Sequence, residues 1–390
     1  MIFDLPNETS AATKGYLQTR CLKIENQESR IRNPARAASF YTQSRLFDSP
    51  GPLDYASLRY TSRSSRGRPV NMTNPANSGL NFIGIDLSGA NMRAAVVSDV
   101  GQIIERREGP VERDRVVEQV DQVVSELRDA AQNIVAVGVA IPGLVNRQTD
   151  RVVASRHLPS AVREDLHAEL MKATGLRVEL ENDANAGAYG EYKVGAGRGS
   201  RDLFYMMIGE AIGGAIILDG RLWTGASGLA GEVGHITIDT EGMECVCGNT
   251  GCLETVASGP NIARRAKERL HRDSTSSLSR LAVNKEFTAD DVAHEAQNGD
   301  DFSLMMIERT GKFIGTGVAS VINLLNIERI VLGGGVMDAG DLILKPIILE
   351  AKRRAFQPCF EATQIVAGTL GTDAIPIGVA MLARDAGQTG

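Results

Sequence analysis

The order of apolar and polar positions divides the chain into a patternless leader and a long patterned body. The pattern begins at residues 80–104, LNFIGIDLSGANMRAAVVSDVGQII, where two apolar runs flank a glycine-containing turn and a third run follows. Short runs rich in β-branched residues predict strands, here a hairpin that continues into a meander. Residues 116–127 then place valine and leucine at helical spacing, so we expect one amphipathic helix there.

The rest of the first half predicts a unit of sheet and helices. Residues 134–143, IVAVGVAIPG, form a continuous apolar run, which is typical of a strand buried on both faces. We expect a helix near 161–174 and a strand over 176–182, LRVELEN. Together these elements would complete one lobe.

The second half repeats this order. Residues 203–222, LFYMMIGEAIGGAIILDGRL, predict a strand, a glycine turn and a second strand. The glycine turns at 86–91 and 209–214 each lie between two predicted strands, which indicates duplicated lobes that face a cleft. Further elements are predicted in this order: helices at 260–270, 288–298 and 302–325, then a strand at 329–335 followed by another helix.

The leader, residues 1–80, differs from the body in composition and charge. It carries eleven Lys and Arg against six Asp and Glu, a net charge of +5, while the whole chain has −6 and the remainder therefore −11. Residues 62–79, SRSSRGRPVNMTNPANSG, have the Ser, Gly, Pro and Asn content of a linker. A basic arm on an acidic body is typical of nucleic-acid contact, and the alternative is a solvated leader with little order.

Composition narrows the class of protein. The chain has 390 residues, of which 43% are hydrophobic and 23% charged, as expected of soluble globular lobes. It contains no run of about 18 apolar residues, so we expect no membrane span, and its start lacks the basic and apolar regions of a secretory signal. Three of the five cysteines lie together at positions 245, 247 and 252, a spacing that favours metal thiolates in a reducing cytoplasm over disulfides.

The strongest chemical signal is the segment 234–254, GHITIDTEGMECVCGNTGCLE. One imidazole and three thiolates in a short segment select tetrahedral Zn²⁺, and four protein ligands leave no open position for catalysis. Gly248 and Gly251 would let the chain turn tightly around the ion. The alternative is three buried cysteines near an unrelated histidine. The predicted ligands of this structural zinc are His235, Cys245, Cys247 and Cys252.

Eight segments in a fixed order resemble the ROK family, which comprises repressors, open reading frames and sugar kinases. They are GIDLSGA, VAIPGLV, LENDANAGAYGEY, GAGRG, IGEAIGGAIILDGRL, GEVGHITI, CVCGNTGCLE and IVLGGGV. The resemblance covers residues 81–390 and implies an α/β, two-lobed, actin-like (ribonuclease H-like) ATPase fold with a sugar in the cleft, in a homodimer. It implies an N-terminal lobe over 81–190, completed by a helix at 374–390, and a C-terminal lobe with the zinc site over 191–373.

The same resemblance assigns residues to a sugar site. Asp183 matches the family's catalytic aspartate, and a carboxylate is what an attacking hydroxyl needs in order to lose its proton. At His157 the chain departs from the family's usual asparagine, which leaves the identity of the sugar open. The Asn182–Asp183 pair also fits the N-terminal cap of a helix. The residues that the resemblance assigns to sugar binding are His157, Asn182, Asp183, Glu232, His235 and Glu254.

The nucleotide side departs further from the family's kinases. Ser88, Ala90 and Asn91 replace a glycine, a threonine and a lysine in the first turn, and Glu210 replaces a threonine in the second. At a separation of about 4 Å the Glu210 carboxylate would repel a triphosphate by roughly 1 to 4 kcal/mol, unless it points into solvent. The positions that match the family's nucleotide-binding residues are Asp86, Gly89, Gly209, Gly213, Gly214, Gly333, Gly334 and Gly335.

Three functions remain open at this point. The first is a sugar sensor of the regulator branch, which binds a hexose or N-acetylhexosamine with weak or no use of ATP and passes lobe closure to DNA or a partner. The alternative is an ATP-dependent sugar kinase, of glucokinase or N-acetylhexosamine kinase type, which uses Asp183 as general base together with ATP and Mg²⁺. The third is a zinc-stabilised protein without a ligand.

The leader bears on the first of these functions. Its Gly-Arg-Pro resembles the linker that follows the winged helix-turn-helix of the family's repressors, but no intact helix-turn-helix is visible. Fourteen residues separate an upstream Gly-Pro from this Gly-Arg-Pro, too few for a recognition helix and a wing. We hypothesise that residues 1–71 are a decayed or mistranslated head and that Met72 is the working start; an intact mass that includes residues 1–71 would exclude this.

Overall fold

The computed structural model describes residues 79–387 except 148, 150, 156–157, 160–164, 272–274 and 285. Residues 1–78 of the predicted leader and linker therefore lie outside the described residues, as do the hypothesis on Met72 and the predicted sugar residue His157. Within the described ranges, no helix combines the length and apolarity that a membrane crossing requires.

The first sheet contains the hairpin and meander that the sequence predicts. Three antiparallel strands are extended by two parallel ones, in the order β3-β2-β1-β4-β7. Because the carboxyl ends of parallel strands meet at one edge of a sheet, Asp86 at the end of β1 and Asn182 at the end of β7 lie at the same edge, with β4 between the two strands. The strands are β1 (Asn81–Asp86), β2 (Asn91–Ser98), β3 (Ile103–Pro110), β4 (Ile134–Ile141) and β7 (Arg177–Asn182).

Two helices cover one face of this sheet. They are α1 (Val116–Ala130) and α2 (Leu166–Thr174), which pack on alternate residues of β1 such as Ile83 and Ile85. A hairpin of β5 (Leu144–Asn146) and β6 (Arg151–Ala154) follows β4. This hairpin is not predictable from the sequence pattern, because strands of 3 and 4 residues are too short to show a period.

The second sheet repeats the plan of the first. Its order is β10-β9-β8-β11-β12, again three antiparallel strands extended by two parallel ones, so the predicted duplication is confirmed for the sheets. The last of these strands, β12, was not among the predicted elements. The strands are β8 (Leu203–Ile208), β9 (Ile212–Leu218), β10 (Arg221–Leu222), β11 (Arg329–Gly333) and β12 (Gln364–Ala367).

Helices separate and cover the two sheets. The predicted helices at 260–270, 288–298 and 302–325 are confirmed to within one residue at each end. The short α4, α6 and α10 are not predicted. The helices are α3 (Asp183–Val194), α4 (Glu254–Ala257), α5 (Gly259–Leu270), α6 (Ser277–Asn284), α7 (Ala289–Gln297), α8 (Asp301–Leu325), α9 (Asp341–Arg354), α10 (Gln357–Ala362) and α11 (Ala374–Ala386).

The helix α11 lies directly on the inner face of the first sheet. A Cβ added at Gly84 of β1 would stand 1.8 Å from the carbonyl oxygen of Pro376, and one at Gly138 of β4 would stand 2.2 Å from another α11 carbonyl. On its other side, a Cβ at Gly378 would stand 1.7 Å from the carbonyl oxygen of Ala186 in α3. Glycine at these positions lets the backbones of strand and helix touch.

One buried carboxylate binds both crossings between the two sheets. The chain leaves the first sheet after α3 and returns to it through the segment before α11. Glu191 of α3 is 1% exposed and accepts the backbone N–H groups of Ala196 (2.7 Å), Thr369 (2.8 Å) and Leu370 (2.9 Å). Since Ala196 belongs to the first crossing and the other two to the second, Glu191 fastens the crossings together.

Candidate functional site

The strand β7 ends and α3 begins at Asn182, whose side chain both caps the helix and fixes its neighbour. Its Oδ1 accepts the backbone N–H of Asn185 (3.1 Å), so the interpretation of this pair as a helix cap is confirmed. Its Nδ2 donates to the carbonyl oxygen of Gly143 (2.9 Å) and to Oδ1 of Asp183 (3.0 Å). Both amide hydrogens are thus engaged, which leaves Oδ1 as the atom that a sugar hydroxyl can still meet.

Asp183, the first residue of α3, is half-buried beside other carboxylates. Its Oδ1 also accepts the backbone N–H of Ala184 at 2.9 Å. Burial, and after it the negative charges of Asp86 and Glu232, raise the pKa of Asp183 from 3.8 to about 7. A carboxyl group with this pKa changes charge in the neutral range and can exchange a proton with a bound hydroxyl.

Next to the Asn182–Asp183 step lies a partly buried cluster of one arginine and two glutamates, which the sequence motifs do not predict. Arg147, which follows β5, has Nη2 2.6 Å from Oε1 of Glu179 and Nη1 3.3 Å from Oε2 of Glu181. Glu181 is 1% exposed, and its Oε1 accepts the N–H of Asn182 and the Nδ2 of Asn185, both at 2.9 Å. The available signal was the alternation of the two glutamates, which places both on one face of β7.

The four predicted metal ligands converge. The ligand atoms of His235, Cys245, Cys247 and Cys252 all lie within 4.8 Å of one another. The Sγ atoms of Cys247 and Cys252 are 3.7 Å apart, and Nδ1 of His235 is 3.6 Å from Sγ of Cys245. A tetrahedral zinc with bonds of about 2.3 Å to sulfur and 2.0 Å to nitrogen requires S–S and S–N separations of about 3.8 and 3.5 Å. The donor set and its spacing therefore fit one zinc ion.

The segment 234–254, which carries these four side chains and is called the metal-binding loop below, is joined to the rest of the site at two points. Because Nδ1 of His235 faces the thiolates, its Nε2 faces away from them and lies 3.9 Å from Oε2 of Glu232. Glu254, the first residue of α4, is buried, and its Oε2 accepts the backbone N–H of Ile212 at 3.0 Å. Predicted sugar residues Glu232 and His235 thus lie side by side, whereas one oxygen of Glu254 is committed to the second glycine turn.

In the first glycine turn, residues 86–91, the side chain of Asp86 binds Ser88. Asp86 ends β1 and is 1% exposed, and its Oδ1 accepts both the N–H (2.8 Å) and the Oγ–H (2.6 Å) of Ser88. Burial raises the pKa of Asp86. Gly89 lies open, since a Cβ there would stand 3.7 Å from its nearest neighbour among the described residues, the carbonyl oxygen of Asn91. The serine that departs from the family pattern is therefore the residue that closes the turn.

Two amides of the second turn already bond within the protein. The N–H of Gly209 donates to the carbonyl oxygen of Ala211 (2.9 Å), and the N–H of Ile212 donates to Glu254. The carbonyl oxygen of Gly209 accepts the N–H of Gly259 at the start of α5 (2.7 Å). The turn is thereby held as a tight hairpin end and tied to α5.

The glycines after β11 that match the nucleotide-binding positions differ in how tightly their surroundings pack. Gly334 adopts a φ of +87°, and a Cβ there would stand 2.4 Å from the carbonyl oxygen of Ile208. At Gly333 a Cβ would meet the hydroxyl oxygen of Tyr205 at 2.3 Å, whereas Gly335 is open. By element, Gly213 and Gly214 lie in β9, Gly333 ends β11, Gly334 caps the 3-10 turn Gly335–Ala339, and Gly335 begins it.

A groove of about 870 Å³ lies beside the second turn. Its walls come from that turn, from α5 and α6, from the start of α7 with the residues before it, and from the 3-10 turn after β11. Glu210 is exposed and lines this groove, as does Asp290. The lining cations are paired, because Nζ of Lys267 is 2.7 Å from Oε1 of Glu286 and Arg264 pairs with the carboxylate one turn further along α5. The groove therefore presents carboxylates rather than unpaired cations.

Fold and site together define an α/β protein of two like-ordered sheets with a His-Cys₃ cluster next to a carboxylate-lined site. The chain belongs to the ROK family, whose family model matches residues 82–386.

Relatives of two kinds are similar to the chain. A glucokinase of Halalkalibacterium halodurans is 33% identical over 78% of this chain and 94% of its own length. The xylose repressor of Bacillus subtilis is 24% identical over 76% of this chain and 73% of its own length. The family therefore includes both kinases and repressors among proteins similar to this chain.

Two solved structures resemble the fold equally well. A ROK glucokinase from Streptomyces griseus, in complex with glucose and AMPPNP, has a TM-score of 0.71 and 30% identity, over 78% of this chain and 99% of that one. A ROK transcriptional regulator described as a homologue of the Escherichia coli MLC protein has a TM-score of 0.71 and 28% identity, over 79% and 78%.

Proposed function

We propose that this ROK protein binds a hexose or N-acetylhexosamine beside Asp183 and acts as a sugar sensor with weak or no use of ATP. The observation that carries the proposal is the second glycine turn. A phosphate loop binds its ligand through free backbone amides, whereas the amides of Gly209 and Ile212 already donate within the protein. Glu210 adds a negative charge at the same place.

The charge of the neighbouring groove supports this proposal. Glu210 and Asp290 line the groove, and the lysine and arginine that line it are paired with carboxylates. Repulsion of roughly 1 to 4 kcal/mol by one carboxylate corresponds to a loss of about five-fold to several hundred-fold in affinity for a polyphosphate. Asp86 is also unavailable for contact with a nucleotide, because it is buried and hydrogen-bonded to Ser88.

The sugar would lie where Asp183, Glu232 and His235 come together. Carboxylates and an imidazole nitrogen accept hydrogen bonds from sugar hydroxyls, and the similar structure from Streptomyces griseus contains glucose. The residues that would hold the zinc ion are His235, Cys245, Cys247 and Cys252. When bound, zinc would fix the tautomer of His235 and so leave Nε2 towards the sugar.

The remaining features of the proposal concern the whole protein. We propose a two-lobed, actin-like body, a homodimer, and a reducing cytoplasm in which the thiolates stay available to metal. Lobe closure on the sugar would be passed to DNA or to a protein partner, with the basic leader as the segment whose charge suits DNA.

A second candidate function is an ATP-dependent sugar kinase. The observation that favours it is the pKa of Asp183, raised to about 7, which suits a general base near neutral pH. In that case Asp183 would take the proton of the sugar hydroxyl, and ATP with Mg²⁺ would be the phosphoryl donor.

The test separates sugar binding from turnover. Isothermal titration with glucose and N-acetylglucosamine measures binding, and a coupled assay for ADP measures phosphorylation, each with Asp183→Asn as the comparison. Binding without turnover supports the sensor. Turnover that disappears in Asp183→Asn establishes the kinase instead.

A repair variant tests the reason for weak ATP use. Glu210→Thr removes the carboxylate and supplies a hydroxyl donor, so it should bind ATP at least about five-fold more tightly than the unaltered protein. Glu118→Gln, which neutralises an exposed carboxylate outside the groove, is the matched control and should leave ATP affinity unchanged. Equal ATP affinity in the unaltered protein and in Glu210→Thr would contradict the argument from Glu210.

A further inference from the structure

We infer that Arg147 is a positioning residue for sugar binding, which through Glu181 holds the Asn182–Asp183 step in place. The inference rests on the proposed sugar site and adds a residue outside it. Arg147 belongs to the β5–β6 hairpin and not to the strand or helix that carries Asp183.

A continuous series of short contacts joins Arg147 to Asp183. Arg147 binds Oε2 of Glu181 at 3.3 Å, while Oε1 of Glu181 accepts the N–H of Asn182 and the Nδ2 of Asn185. Asn182 then donates to Asp183 at 3.0 Å. Since Glu181 is 1% exposed, its charge can be kept inside only while a cation faces it. Without Arg147, Glu181 must take up a proton or turn towards water, and either change disturbs its bonds to the step.

Arg147 also lies where the two halves of the chain touch. Gly228, in the segment between β10 and the metal-binding loop, adopts a φ of +82° and packs on the end of β5. A Cβ there would stand 3.4 Å from the carbonyl oxygen of Val145 and 3.8 Å from the backbone nitrogen of Arg147. A shift of the second half against the first therefore reaches the segment that carries Arg147, which couples closure to the placement of Asp183.

The charged groups around Glu181 and Arg147 predict how sugar affinity depends on pH. Glu181 faces Arg147 and Glu179, and Arg147 is also near Tyr189 of α3. Burial raises the pKa of Glu181, and the charge of Arg147 opposes this. In the absence of Arg147 this opposition is lost, and ionisation of Glu181 as the pH rises leaves a buried carboxylate without a counter-charge.

The unaltered protein should respond to pH in the opposite direction. Asp183 faces the charges of Asp86 and Glu232 and becomes a carboxylate near pH 7. A carboxylate accepts a sugar hydroxyl better than a carboxylic acid does. Sugar affinity should therefore rise from pH 6 to pH 8 in the unaltered protein, and fall over the same range in Arg147→Met. An ion pair that only stabilised the hairpin would not reverse this slope.

The experiment is isothermal titration of glucose and N-acetylglucosamine into the full chain at pH 6 and pH 8. Arg147→Met should bind about tenfold more weakly than the unaltered protein at pH 8, with the slope reversed. Arg147→Lys keeps the charge and should restore the slope, as should the double variant Arg147→Met with Glu181→Gln, which has no buried charge. Arg151→Met, at an exposed position of the same hairpin, is the matched control and should equal the unaltered protein.

The outcomes distinguish the two proposals. If the unaltered protein binds neither sugar, the proposed function and this inference both fail. If it binds, and Arg147→Met keeps its affinity and slope, only the inference is overturned. Should circular dichroism reveal that Arg147→Met is unfolded, the lysine and double variants decide, since loss of the normal slope in both would contradict the inference.

Discussion

Replacement of Glu191 by glutamine tests how the two sheets are held together. In the structure Oε1 of Glu191 accepts the N–H groups of Thr369 and Leu370, and Oε2 accepts the N–H of Ala196. Glutamine has the same shape but offers an NH₂ group in place of one oxygen. Whichever way the amide turns, at least one backbone N–H must face another N–H donor.

The size of the effect follows from these bonds. A hydrogen bond to a charged group contributes about 1.5–3 kcal/mol to stability, and an unsatisfied buried donor is unfavourable by about 1–3 kcal/mol. Glu191→Gln loses the charge from all three bonds and one acceptor outright, so we expect its free energy of unfolding to fall by about 2–4 kcal/mol. Glu191→Ala, which leaves three buried donors unsatisfied, should lose about 4–6 kcal/mol. Against a typical total of about 5–15 kcal/mol, both changes are large.

Urea unfolding, followed by far-ultraviolet circular dichroism, measures these differences. The matched control is Glu118→Gln in the first turn of α1, where the side chain is exposed and the expected loss is below about 1 kcal/mol. Because Glu191 binds both crossings, its loss should also broaden the transition or split it into two steps. A Glu191→Gln protein within about 0.5 kcal/mol of the unaltered one, with a single sharp transition, would refute this account of the crossings.

Three further predictions concern zinc binding, the pH dependence of thermal stability and the close contact between β1 and α11. Cys252→Ser should lose bound zinc by metal analysis and lose sugar affinity with it; a variant without zinc that still binds sugar at full affinity would contradict the link through the metal-binding loop. Because burial raises the pKa of Asp183 from 3.8 to about 7, the stability of its protonated form is present below about pH 4 and is lost as the pH rises to 7. Asp183→Asn should therefore raise the melting temperature at pH 8 and leave it unchanged at pH 4; equal shifts at both values would count against the raised pKa. Gly84→Ala should destabilise by about 3 kcal/mol or more in thermal unfolding, because its Cβ would stand 1.8 Å from the carbonyl oxygen of Pro376, whereas Gly89→Ala should stay within about 1 kcal/mol. Similar losses for the two glycines would exclude the close approach.

Local patterns in the sequence predicted the elements well. The apolar run at 134–143 and the helical spacing at 116–127 each report burial within one element, so strand and helix could be assigned without knowledge of the fold. The metal ligands were predictable for a related reason. All four lie within one short segment, and their chemistry selects the ion whatever surrounds them.

Contacts between distant residues were not predictable in this way. Arg147 and Glu179 are 32 residues apart, and Glu191 and Thr369 are 178 apart, so only the completed fold brings their charges and donors together. The second glycine turn is a subtler case. Its glycines resemble a phosphate loop, yet the pairing of Ile208 with Ile212 and the bond to Glu254 decide which amides remain available. The sequence predicts the turn but not the partners of its amides.

The contact between α11 and the first sheet has a consequence for the order in which the protein can fold. A chain grows from its N-terminal end at about 5–20 residues per second, so β1 and β4 are complete long before α11 is synthesised. Until then the face that carries Gly84 and Gly138 has no helix to cover it, while the whole second sheet is made and can fold. The second half of the protein is in effect an insertion within the first. A ribosome that stalls before residue 374 would therefore release a chain whose later half is folded and whose earlier half is still open.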